Sequence, residues 1–226
     1  MSFSKYGLAI GARQSLPLAI SAALYGVVFG ILARQSGLSV LDATLMSGIV
    51  CAGASQFMVL DLWQSPLSAL RIVLTAFLVN LRHVLMGLTL QPFLATLRTV
   101  QRYGSAFFLS DESWALTMRA ATTGFRDGAY LLGAGLTMWI AWVGATAAGS
   151  LLGSSVQNPA KWGLDFAFAA VLLALLTGMR NGKASIRPAL ITIVIALAAA
   201  HWLPGKWYIL IGGIGGSLFG GDRNDR

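Results

Sequence analysis

The chain has 226 residues, of which 56% are hydrophobic and only 11% charged. A soluble domain carries about 25% charged residues, so this much apolar surface cannot all be hidden in one compact soluble fold and must face lipid. The net charge of +8 does not indicate nucleic acid, because the basic residues sit singly or in pairs between apolar runs, without a patch or an aromatic-interleaved stripe. The single Cys51 lies in an apolar run and no CxxC, HExxH or Cys/His cluster occurs, so no disulfide, metal or cofactor is expected.

A membrane helix needs roughly 20 mostly apolar residues. In chain order that length predicts spans at Leu16–Ala33, Leu38–Leu60, Leu67–Leu90, Ser105–Ala121, Ala129–Leu152, Gly163–Met179, Pro188–Leu203 and Trp207–Gly221. The fold expected is all-α: a polytopic integral membrane helical bundle of about eight spans, some discontinuous, forming one domain over residues 1–226. Lys5 and Arg13 before the first run superficially resemble a signal peptide. No small-residue cleavage site followed by a soluble domain is seen, so the run reads as a retained span. The connections are short and polar, as in Arg34-Gln35-Ser36-Gly37 and Arg180-Asn181-Gly182-Lys183, and Pro188 suits the opening of a helix.

With the N-terminus placed in the cytoplasm, ten of the sixteen Lys and Arg residues fall inside, Arg71 among them. Five fall outside: Arg34, Arg98, Arg102, Lys161 and Lys206; Arg82 lies within a span. That bias favours two cytoplasmic termini and an even number of spans. Arg98 and Arg102 would change sides if the third region folded as two half-helices.

Two spans are irregular. Leu38–Leu60 carries Gly48, Gly53, Ala54, Ser55 and Gln56, and Ser105–Ala121 carries Ser110-Asp111-Glu112-Ser113 at its middle. Irregular backbone at membrane depth is tolerated only where it lines a cavity or is buried in protein, and discontinuous helices usually form the substrate site of secondary transporters. Gly26 and Gly30, and later Gly212, Gly216 and Gly220, form small-residue stripes. These serve either packing within the chain or docking of a second subunit. Trp63, Trp162, Trp202, Trp207 and Tyr208 read as interfacial anchors, and Asp165 as a residue of a helix N-terminus.

Charges inside spans cost roughly 2.5–3.5 kcal/mol each on the insertion scale, which makes them informative. Arg82, beside Asn80 and His83, offers a planar fork for a substrate carboxylate or for Asp111 and Glu112. The alternative is a structural ion pair or a snorkelling side chain. His83 could relay protons or make a structural hydrogen bond. Of Asp111 and Glu112, one could hold a substrate ammonium and the other a coupling proton. Equally, Ser110-Asp111-Glu112 is how ordinary helices begin. Gly53-Ala54-Ser55-Gln56-Phe57 could open to present backbone groups, the Ser55 hydroxyl and the Gln56 amide to a zwitterion, or could serve close packing with Gln56 bonding across helices. Phe57 and Trp114 could supply an apolar wall. No nucleophile and base stand at helical spacing, so an enzyme is not expected.

Tyr25-Gly26-Val27-Val28-Phe29-Gly30, Ser36-Gly37-Leu38-Ser39, Ala52-Gly53-Ala54-Ser55-Gln56-Phe57, Asn80-Leu81-Arg82-His83 with Gly87 and Pro92, Ser110-Asp111-Glu112-Ser113 and Leu203-Pro204-Gly205 occur in that order. Together they resemble the AzlC family, also called the YgaZ type. Met86 and Ser110 depart slightly from the pattern, where an aromatic and a threonine are common. The resemblance implies export of the branched-chain amino acids valine, leucine and isoleucine across the cytoplasmic (inner) membrane of a prokaryote. It also implies a small AzlD (YgaH)-type membrane subunit as partner. An ATP-driven permease subunit is the rival reading, since such a subunit would itself lack a nucleotide-binding loop.

Overall fold

The computed structural model describes residues 2–60, 62–63, 67–156, 186–202, 208, 211, 212 and 215. Contacts sort the chain into two units, Met1–Ala76 with Asn80–Asp165, and Phe77–Val79 with Phe166–Arg226. The described residues are helical, apart from turns and one isolated bridge between Ser2 and Asp127.

In the first unit the helices are α1 (Lys5–Gln35), α2 (Val40–Val50), α3 (Gly53–Leu60), α4 (Ala69–Leu94), α5 (Thr99–Phe107), α6 (Asp111–Thr122) and α7 (Ala129–Gly153). Helix α1 starts well before the expected Leu16, because the Ser4 hydroxyl accepts the Gly7 N–H at 3.0 Å and caps it there. It then continues through Pro17, a break that membrane helices tolerate. At its far end Gly37, at φ 93, turns the chain so that the Leu38 N–H reaches the Ala33 carbonyl at 3.1 Å.

Helices α1 and α7 run side by side in the same direction. Gly11 meets the Tyr130 carbonyl, Gly26 meets Ala145 and the Trp142 carbonyl, Gly30 meets the Thr146 carbonyl, and Arg34 meets Gly153. From the other helix, Gly133 meets the Leu8 carbonyl and Gly149 the Val27 carbonyl. Hydrogen in place of a side chain is what lets the two backbones touch. The Gly26–Gly30 stripe is therefore filled by α7 and is not a docking face for another subunit.

Helix α4 runs the opposite way. Its last turns place Leu90 and Leu94 in a cluster with Leu97, Leu109 and Leu131, against which Phe3 packs, at the end where α1 and α7 begin. Ile72 and Ala76 near its start line a cavity with Leu38 and Asp42 at the opposite end. We call these ends the base and the head. Helices α1, α4 and α7 are the three among the described residues long and apolar enough to cross a membrane. The third region is one continuous helix, with Pro92 in its last turn.

The two irregular spans do not cross. Helix α2 descends from the head, stops at Cys51 in a left-handed conformation (φ 49), and α3 turns back. The return is visible in Gln56 bonding to Ser47 and in Val59 and Trp63 sharing a cavity with Leu38 and Asp42. Helices of 11 and 8 residues are roughly 16 and 12 Å long at 1.5 Å per residue, about half a bilayer each. Helices α5 and α6 form a second hairpin from the base. Arg102 lies against the end of α4, Phe108 packs on Trp139 midway along α7, and Thr117 and Ala121 return beside Leu90 and Leu94. A long helix followed by a half-helix pair thus occurs twice with reversed direction, α1 with α2–α3 and α4 with α5–α6, which is an inverted arrangement.

This topology corrects the predicted distribution of charge. Because α2–α3 returns to the head, Arg71 lies at the head, while Arg98 and Arg102 lie at the base with Lys5, Arg13, Arg119 and Arg126. Arg102 has a local task there: its Nε and Nη2 donate to the Leu94 and Ala95 carbonyls at 3.2 and 2.8 Å, capping α4.

Residues 2–4 are tied down at the base. Asp127 accepts hydrogen bonds from the Ser2 and Ser4 hydroxyls, the Ser4 N–H and the Ala129 N–H. Partial burial pushes the Asp127 carboxyl up, but these donors, Ser4 foremost, outweigh it and hold the group below its ordinary value. A depressed carboxyl contributes stability above its unfolded pKa of about 3.9 and loses it as pH falls through the folded value. Asp127→Ala is expected to lower the thermal midpoint by roughly 2–4 °C at pH 7, for about 1 kcal/mol of hydrogen bonding. That difference should shrink from pH 7 into acid, as pH falls through the folded-state value and the hydrogen bonds to Asp127 lose their charge. Unfolding scans in detergent at pH 7 and in acid check it, and an undiminished difference in acid would refute the charge argument.

In the second unit, α8 (Ile186–Trp202) carries the predicted seventh span, and Gly212 and Gly215 lie against Ala196 and Ile195 of it. Trp202 at its end is exposed. The predicted span Gly163–Met179 lies outside the described residues, as do Trp162, Asp165, Trp207, Gly216 and Gly220.

Candidate functional site

Both hairpin tips come to the middle of α7. Trp139 donates its indole N–H to the Gly48 carbonyl at 2.9 Å on one side, and its ring meets Phe108 edge-on at 5.6 Å on the other. Gly135, one turn below, lies against the Phe108 carbonyl. Four half-helix ends therefore meet there: the carbonyl ends of α2 and α5 and the N–H ends of α3 and α6. A helix N-terminus carries partial positive charge and a C-terminus partial negative charge, so the region offers both signs without any side chain.

Mid-α4 supplies the side chains, one to each tip. Asn80 donates to the Ser55 hydroxyl at 3.2 Å in the first turn of α3, and Ser55 itself donates to the Ala52 carbonyl at 2.9 Å. Arg82 pairs with Asp111 in the first turn of α6, Nη1 to Oδ2 at 2.8 Å. It is the one ion pair among the described residues, and its side chains are 33% and 25% exposed. Two buried atoms of α4 have no partner among the described residues, the Arg82 Nε–H donor and the Asn80 Oδ1 acceptor. Buried polar atoms are normally satisfied. One spare donor and one spare acceptor within one turn of α4 suit a ligand that carries both kinds of group.

Residues predicted together are thus only partly brought together. Asn80, Arg82, Ser55, Asp111 and Glu112 lie around the two tips, with Glu112 half-buried beside Asp111. Ser110 caps α6 through Ser113, so the acidic pair opens a helix as one reading anticipated, but that helix begins in mid-molecule. Gln56 is fully buried and committed: its Nε2 donates to Ser47 at 3.0 Å, its Oε1 accepts from Trp142 at 3.1 Å, and Ser47 pairs with Thr146 at 3.0 Å. That network knits α2, α3 and α7 together. Gly53 lies flat against the Trp142 ring, and Phe57 packs edge-on to Phe29 at 5.4 Å beside the same indole. Trp114 bonds Thr89 at 2.8 Å and borders the leucine cluster. His83 turns its Nδ1 to the Asn80 carbonyl at 3.3 Å.

A cavity of about 330 Å³ opens beside Ser55 and Gln56, walled by Leu45, Met46, Val50, Val59, Ile72 and Ala76. Sequence reasoning missed these aliphatic residues, and it missed Trp139 and Trp142. The signal was present in the two indoles, since each sits in mid-span, where its N–H needs an acceptor.

Two opposed broken hairpins meeting at a charged pair inside a bundle of apolar helices are the construction of a polytopic membrane transport protein. The family profile described as AzlC protein matches residues 17–156. The chain belongs to the AzlC family. Over 191 residues it is 35% identical to an "Uncharacterized membrane protein" of Archaeoglobus fulgidus, covering 83% of this chain and 82% of that one. It is 29% identical to the inner membrane protein YgaZ of Escherichia coli K12, covering 78% and 74% of the two chains. With the branched-chain amino acid transport protein AzlC of Bacillus subtilis it shares 23% identity, over 71% and 63%. No solved structure matches the chain.

Proposed function

We propose that this chain is a secondary exporter of branched-chain amino acids, one membrane domain working with a small membrane subunit and driven by the proton gradient. The observation that carries the reading is the pair of half-helix tips held by Asn80 and Arg82 from one turn of α4. The substrate carboxylate would bind Arg82 and the N–H groups opening α3, whose first turn has no acidic residue. The ammonium would bind at Asp111 and Glu112, which open α6. The aliphatic side chain would lie against Leu45, Met46, Val50 and Ile72. One methylene in such a wall discriminates by only about 1–3 kcal/mol, so valine, leucine and isoleucine should all be carried. His83 or the acidic pair would carry the coupling proton. The base, with six described Lys and Arg side chains against two at the head, would be the cytoplasmic end, as the positive-inside rule favours.

Cells loaded with valine-containing peptides test the proposal. Saturable valine efflux is expected, raised by co-expressing the small subunit, abolished by a protonophore and surviving ATP depletion while the proton gradient is held. Loss of efflux on ATP depletion with the gradient intact would favour the ATP-driven permease, and non-saturable release would point to a pore.

A further inference from the structure

At the base, a second cavity of about 520 Å³ opens between α1 and α6, away from the hairpin tips. Arg13 and Arg119 both line it, and neither has an ion-pair partner among the described residues. Two guanidinium groups facing one groove repel each other unless an anion lies between them. Of the other polar side chains there, Tyr130 donates to Gln14 Oε1 at 2.6 Å, which leaves the Gln14 amide N–H groups free to donate, Thr123 donates to the Ala120 carbonyl at 2.7 Å, and Tyr6 is exposed. Among the described residues no carboxylate lines the groove.

The groove is amphipathic along the molecular axis. Helix α1 rises from the base and α6 descends towards it, so Pro17 and Leu116 lie on the bilayer side of Arg13 and Arg119. On the bilayer side of Arg13, α1 exposes Leu16, Ile20 and Leu24. Arg13 stands roughly 12 Å above the start of α1, at 1.5 Å per residue, a depth suited to a headgroup rather than to bulk water. Cations below a continuous apolar track match a phosphate with acyl chains attached. A free anion would gain nothing from the track. Basic pockets between membrane helices are known to hold acidic lipid headgroups.

We propose that the groove between α1 and α6 is a binding site for an anionic phospholipid, its phosphate held by Arg13 and Arg119 and its acyl chain laid along α1. Native mass spectrometry of the purified, delipidated full-length protein, with phosphatidylglycerol titrated in, tests it. Wild type is expected to retain phosphatidylglycerol and not phosphatidylcholine. The double variant Arg13→Gln/Arg119→Gln should bind on the order of 30-fold more weakly, the loss implied by two cationic contacts near a headgroup. Arg13→Lys/Arg119→Lys should keep most of the binding, and Arg126→Gln, at the same end but outside the groove, should leave it unchanged. Equal retention by wild type and the folded Gln double variant would overturn the proposal. So would competition by millimolar inorganic phosphate, because that would make the groove a soluble-anion site.

Discussion

Arg82→Ala is expected to lower valine efflux on the order of 100-fold while leaving the protein inserted in the membrane. Removing one partner of a hydrogen-bonded charge pair away from bulk water costs about 2–5 kcal/mol, and a hundredfold loss corresponds to about 2.7 kcal/mol. Arg82 lies 2.8 Å from Asp111, so Asp111→Asn should lose efflux comparably. A structural ion pair predicts the same single losses, and a third variant separates the readings. The swap Arg82→Asp/Asp111→Arg can restore the pair and the thermal midpoint, but it exchanges the groups that α4 and α6 offer the substrate. Restored stability without transport is the result expected if the pair recognises a zwitterion. Restored transport would reduce the pair to a brace, and unchanged efflux in both single variants would remove these residues from the site.

Gly30→Leu should cost more than any surface change, because it separates α1 from α7. A Cβ at Gly30 would overlap the Thr146 carbonyl and crowd the Ser150 N at 2.6 Å. Both are backbone atoms and cannot rotate aside. Overpacking usually costs about 1–3 kcal/mol where side chains can give way; against two fixed helices we expect at least about 3 kcal/mol and little folded protein. Gly144→Ala on the partner helix α7 is the control, since nothing lies within 4 Å of its added carbon. It should be neutral or slightly stabilising, as replacing a helical glycine often is. Size-exclusion profiles and thermal unfolding in detergent read both. A Gly30→Leu protein as stable as wild type would mean that α1 and α7 are not in backbone contact.

Much of this was legible in residue order. Apolar runs separated by turn residues located every described helix long enough to span, because lipid exposure imposes a length and a composition that no other environment requires. The polar residues Asn80, Arg82, Asp111 and Glu112 were conspicuous because charge at such depth is costly. The small and polar residues at Gly53–Gln56 and Ser110–Ser113 marked where helices break, since Gly, Ser and Asp favour turns and caps over helix interiors.

What one dimension could not supply is the direction taken after each break. A chain leaving Cys51 can continue across or turn back, and its local propensities are the same either way. The choice rests on contacts with distant residues: Ser47 with Thr146, Gly48 with Trp139 and Gln56 with Trp142. The same reversal moved Arg71 to the head and Arg98 and Arg102 to the base. It also turned Phe57 and Gln56 into packing elements, because a residue's partners on another helix are unrelated to its own spacing.

By itself, the order of residues determined that this is a helical membrane protein of the AzlC type, with breaks at two places and charge near them. Hydropathy, turn chemistry and short motifs are local properties that a chain displays without folding. Only the tertiary structure decided that the breaks are opposed hairpins whose tips meet α7, and that α4 ties one tip through Asn80 and the other through Arg82. Those are distances between residues tens of positions apart, and packing alone sets them.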